Sequence, residues 1–113
     1  MARYTLTTRI GGKVSHERFE NLDTALTALE RDGHVLQGQA DADAVGGTLT
    51  RRYEPEDQVT ARLELSGPKR LRVGIDVRGD GSAVPFTGRL IRKPVERRSG
   101  ESAYDALRRV AAQ

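Results

Sequence analysis

Residues 74–86, GIDVRGDGSAVPF, carry two carboxylates four positions apart, Asp76 and Asp80, and the tripeptide Arg78-Gly79-Asp80. Carboxylates at loop spacing are the raw material of a cation site, and Arg-Gly-Asp is a cell-adhesion sequence. A calcium loop, however, needs about six to eight oxygen ligands with a glycine at its bend and a closing glutamate. Asp76 and Asp80 supply only two carboxylates, and Asp41 and Asp43 in DADA lack the same partners. The two histidines, His16 and His34, have no second His or Cys at metal-ligand spacing. There is no cysteine, so thiolate metal sites, thiol nucleophiles and disulfides are excluded. No nucleophile elbow and no phosphate-cradling glycine loop occurs. No metal or cofactor is expected, and nothing assembles a catalytic set.

The remaining chemistry is that of arginine. Of the 19 basic residues, 16 are Arg. Residues 1–57 hold seven Lys/Arg against ten Asp/Glu, and residues 58–113 hold twelve against six, so the halves carry −3 and +6. Such asymmetry suits an anionic partner, although arginine, alanine and glycine all have GC-rich codons and their abundance can also follow genome composition. Guanidinium groups recognise carboxylate and phosphate through paired N–H bonds. Where the arginines stand depends on the elements that carry them.

At 113 residues and 36% hydrophobic, the chain fits one domain, 1–113, with a lean core. RYTLTTRI and KVSHERFE read as strands joined at Gly11-Gly12. NLDTALTALERDG reads as a helix capped by Asn21, with Leu22, Ala25, Leu26 and Leu29 on one face. Gly33 is expected to stop it, with a short strand at 34–39 and an acidic loop after it. TLTRRY (48–53) reads as a strand ending at EPED.

Period-two alternation then recurs in QVTARLEL, RLRVGIDV and SAVPFTGRLIR, the pattern of a half-buried antiparallel sheet. With Asp80-Gly81 as a two-residue hairpin loop, Val77 faces Val84, Ile75 faces Phe86 and Val73 faces Gly88. With residues 67–69 as a loop, Leu65 faces Leu71 and Leu63 faces Val73. SGESAYDALRRVAAQ closes the chain as a second helix, with Ser102 and Asp105 placed as a capping box. The expected fold is α+β: one antiparallel sheet of about five to six strands, a meander in the second half, and two helices on one face.

This register sets Glu64, Arg72 and Arg89 in one row on the opposite face, which carries no aromatic residue in this reading. Arg62, Arg70, Arg72 and Arg89 are therefore the candidate anion- or partner-binding residues. The leading expectation is a non-enzymatic, cytoplasmic protein-interaction module, with a homodimer as one form of the interaction. No apolar run is long enough for a membrane span, and MARYTLTTRI lacks the apolar core of a signal peptide. The first alternative is weak, sequence-independent nucleic-acid or anion binding by the arginine-rich face. The second is a small-molecule binder or enzyme with a helix–sheet pocket using Asp, Glu, His16 and Tyr53. Gly81→Val is expected to lower stability by about 1 kcal/mol or more, because a β-branched residue tolerates positive φ poorly; thermal melting of the variant measures it.

Overall fold

The computed structural model describes residues 3–45, 58–88 and 91–113, with side chains through Ala40 in the first segment. The strand expected at 48–53, the EPED turn, Tyr53, Arg89 and Leu90 lie outside the described residues. Strands β1 (Tyr4–Ile10) and β2 (Lys13–Phe19) form a hairpin, followed by helix α1 (Leu22–Val45). Strands β3 (Val59–Gly67), β4 (Leu71–Arg78), β5 (Ala83–Thr87) and β6 (Lys93–Pro94) come next, and helix α2 (Ala103–Ala111) ends the chain. All six strands make one antiparallel sheet in the order β2-β1-β3-β4-β5-β6. Both helices pack on the same side, α1 over β1, β3 and β4 and α2 over β4 and β5. The fold is α+β, as the alternation predicts. No helix among the described residues is long and apolar enough to cross a membrane.

The covered face collects Leu6, Ala61, Leu63, Leu65, Val73, Ile75 and Val77 with Ala25, Leu26, Leu29 and Leu107 from the helices. Each fully buried Leu or Ile contributes about 1.5–3 kcal/mol relative to exposure. The Gly11-Gly12 hairpin has the expected two-residue loop, with Ile10 opposite Lys13 and Gly11 at φ +58°. Asn21 caps α1, its Oδ1 accepting from the Thr24 N–H at 2.8 Å. The Ser102–Asp105 capping box forms reciprocally, at 3.0 and 3.1 Å.

Three expectations fail, each for a local reason. The first concerns α1, which does not stop at Gly33: the strand at 34–39 does not form, and the helix runs on through Asp41 and Asp43 to Val45. Gly33 serves close approach rather than a left-handed turn. A Cβ there would collide with the Tyr104 hydroxyl and ring. Tyr104 is buried, donates to Gln37 Oε1 at 2.6 Å, and Gln37 Nε2 donates to the Gly81 carbonyl at 2.9 Å. The extra helical turns thus tie α1 to α2 and to the β4–β5 turn. Burial, with Glu30 nearby, pushes the Tyr104 hydroxyl up to about 12.

The second concerns β3–β4. The loop is Pro68–Arg70, one residue later than expected, and Gly67 faces Leu71, Leu65 faces Val73 and Leu63 faces Ile75. The shift is an even number of residues, so every apolar side chain keeps its face. A register shift between Val59 and Ala61 leaves Val59 exposed.

The third concerns β4–β5, where the slip is odd. Arg78 N donates to the Ser82 carbonyl, Gly81 N to the Arg78 carbonyl, and Ser82 N to Asp80 Oδ1, each at 2.9 Å. The loop is therefore Gly79–Gly81, a three-residue hairpin with its last residue, Gly81, at φ +84°. Val77 faces Ala83, Ile75 faces Pro85 and Gly74 faces Phe86. Val84 and Phe86 consequently leave the helix-covered face for the opposite one.

Gly33→Ala and Gly38→Ala separate the two uses of glycine in α1. Nothing lies within 4 Å of a Cβ at Gly38, so Gly38→Ala should gain about 0.5–1 kcal/mol of helix propensity. Gly33→Ala should lose stability despite the same propensity gain, because the pinned Tyr104 ring must move. Urea denaturation of the two variants reads both signs.

Candidate functional site

The face away from the helices is a cross-strand grid fixed by pairing. One row runs Val14, Arg9, Arg62, Asp76, Val84 and the next His16, Thr7, Glu64, Gly74, Phe86, Pro94. A third runs Arg18, Thr5, Ser66, Arg72. The expected Glu64–Arg72–Arg89 row does not form. Arg72 stands opposite Ser66, Arg62 opposite Asp76, and Glu64 opposite Gly74.

Phe86 is the residue that sequence reasoning placed on the wrong side. It is 3% exposed although it lies on the side without helices. Gly74 makes room for it, since a Cβ there would strike the Phe86 ring and the Leu63 carbonyl. Arg62 and Arg92 roof it, each guanidinium carbon 5.7 Å from the ring centroid. Cations over an aromatic face are favoured by the ring quadrupole. A bulky residue opposite a strand glycine was the available signal, but it has meaning only in the correct register.

The same arginines hold the acids. Arg62 grips Asp76 with two bonds, Nε to Oδ1 at 2.5 Å and a terminal nitrogen to Oδ2 at 3.2 Å. The Asp76 hydrogen bond holds Arg62 still more firmly protonated, against the opposing effect of burial. Glu64, 8% exposed, sits between Arg9 at 3.7 Å and Arg92 at 3.5 Å. A charge this buried requires partners, and the two flanking guanidinium groups supply them. The centre of the face is a cluster of three arginines, two carboxylates and one ring, carrying net charge near +1.

Arg70 and Arg72 differ. Neither makes an ion pair among the described residues. Both line a cleft of about 620 Å³ at the Pro68–Arg70 end of the sheet, with Ser66, Leu71, Thr87 and Gly88. A second cleft of about 550 Å³ shares Arg70, Leu71, Arg72 and Thr87 and adds Arg3 and Lys69 on the helix side. Of the four candidate arginines, the fold brings Arg70 and Arg72 together and places Arg62 in the central cluster; Arg89 lies outside the described residues.

The carboxylates that opened the sequence reading are engaged separately. Asp76 belongs to Arg62, while Asp80 accepts from Ser82, which holds it below the usual carboxylate range. His16 pairs with the Thr7 hydroxyl at 3.0 Å, and His34 lies against Glu30 and the Tyr104 ring. Among the described residues, no three His, Cys, Asp or Glu side chains gather as a metal site would need. Comparison of the chain with protein-family models, curated proteins and solved structures gives no match.

Glu64→Gln should cost about 1 kcal/mol or more, because it removes the shared counter-charge of Arg9 and Arg92 beside Arg62. Part of that loss should return at high salt, where guanidinium repulsion is screened. Urea melts of wild type and variant at low and high salt give both quantities.

Proposed function

We propose that this chain is a non-enzymatic binding module whose partner, an acidic protein surface, docks on the uncovered face of the sheet. The observation that carries the reading is the composition of that face. Arg9, Arg18, Arg62, Arg72 and Arg92 outnumber Glu64 and Asp76, and Arg72 has no acid of its own among the described residues. Ion-paired arginines on rigid strands lose little conformational entropy on docking, so their remaining N–H groups meet carboxylates at low cost. Exposed Val14 and half-buried Val84 lie in the row of Arg9 and Arg62. Arginine beside apolar side chains suits a protein interface better than a phosphodiester track. Phe86 is roofed by arginine and offers no open ring for base stacking, which nucleic-acid sheets rely on.

The strand edges favour the face over edge pairing. Among the described residues β2 leaves one hydrogen-bonding side open along its seven residues, but Lys13, Glu17 and Arg18 give it the charges that discourage strand addition. At the other side β6 is two residues long and ends in Pro94.

The test measures binding of a poly-glutamate peptide and of duplex DNA by fluorescence anisotropy, with light scattering on the protein alone. The peptide should bind at low salt, weaken as salt rises, and weaken further with Arg72→Glu. Duplex bound more tightly than peptide would replace this reading with nucleic-acid binding. A dimer that occludes the face and binds neither probe would make the partner a second copy. A monomer that binds neither probe at low salt would overturn the proposal.

A further inference from the structure

We infer that the cleft at the Pro68–Arg70 end of the sheet is a phosphate site, built to hold a phosphomonoester. This rests on the reading that the uncovered face takes anions, and it names a separate ligand at one corner of it. Arg72 is half-buried on β4 and fixed by the strand, and Ser66 stands directly across from it on β3. Arg70 adds a second guanidinium from the turn. Among the described residues, no carboxylate lines this cleft. Two forks and one hydroxyl beside one hollow can donate more hydrogen bonds than a carboxylate has lone pairs to receive, whereas a phosphomonoester offers three terminal oxygens. The volume, about 620 Å³, leaves room for the group that the phosphate esterifies.

Charge and backbone geometry agree with this use. Arg3, Lys69, Arg70 and Arg72 line the two adjoining clefts. Like charges gathered at one end of the sheet repel, and an anion bound at Arg70 and Arg72, which line both clefts, lowers that repulsion. Lys69 and Arg70 also sit at φ +58° and +62°, a region that side-chain-bearing residues rarely adopt. Glycine or asparagine would suit the turn better, yet two cations stand there. Strain retained by side-chain-bearing residues is a feature that ligand-binding sites share.

The experiment follows thermal melting and calorimetric binding at constant ionic strength, using inorganic phosphate, phosphoserine and chloride. Phosphate or phosphoserine should raise the melting temperature above the chloride control, by mass action on the folded state. Arg72→Ala should weaken phosphate binding about tenfold, the loss of one charge-assisted pair. Arg70→Gly removes a cation while relaxing the positive φ, so it should melt no lower than wild type and still bind phosphate less well. Phosphoserine bound more tightly than inorganic phosphate would identify an esterified ligand as the occupant. No rise over chloride, or equal binding by both variants, would overturn the site. If phosphate fails while poly-glutamate still binds, the cleft is rejected and the docking face stands.

Discussion

The bond from the Ser82 N–H to the Asp80 carboxylate governs more of this molecule than its place in a surface turn suggests. It lies inside a three-residue loop between β4 and β5, which the Arg78 N–H closes on the Ser82 carbonyl, with Gly81 in the left-handed region. The count of residues in that loop decides which side of β5 meets the helices. With three, Ala83, Pro85 and Thr87 follow Val77, Ile75 and Val73, and Phe86 goes to the uncovered face. Phe86 then needs a cover, which Arg62 and Arg92 provide. The arginines in turn need acids, which are Asp76 and Glu64. A polar face with a miniature core of its own follows from one turn.

The same turn is anchored from the helix side. Gln37 bonds to the Gly81 carbonyl with one end of its amide and accepts from Tyr104 with the other. Sheet, long helix and C-terminal helix meet at a single side chain. This explains why α1 extends past a glycine that would ordinarily end it. Stopping at Gly33 would remove Gln37 and Ala40 from their contacts and leave the Tyr104 hydroxyl without its acceptor. A glycine in mid-helix costs about 1 kcal/mol of propensity, and here tertiary packing outweighs it.

Much of the architecture was legible because it rests on periodicity. The alternation of Ala61, Leu63 and Leu65 with Val73, Ile75 and Val77 survives any even shift in pairing, so the β3–β4 face assignments hold even though the partners differ. The caps at Asn21 and Ser102 were legible because they are local hydrogen bonds. The β5 face was not. Asp-Gly is a strong signal for a two-residue turn, but the same dipeptide serves a three-residue loop when the Asp side chain bonds ahead to Ser82. Val84 and Phe86 then look like core residues in either frame. The central arginine cluster was illegible for that reason alone, since Arg62 and Asp76 are 14 positions apart and only the register makes them neighbours.

The exposed β2 strand has a consequence for how the structure opens. Its residues Lys13–Arg18 are exposed, Phe19 is partly covered, and among the described residues β1 is its sole hydrogen-bonded neighbour. β3 and β4, by contrast, lie between strands on both sides and beneath helices. Opening β2 exposes almost no apolar surface, so its amides exchange with solvent by local fraying, while those of β3 and β4 wait for global unfolding. The sheet therefore has two tiers of protection, and the boundary falls along β1, which belongs to the core through Leu6 and to the loose margin through Ile10.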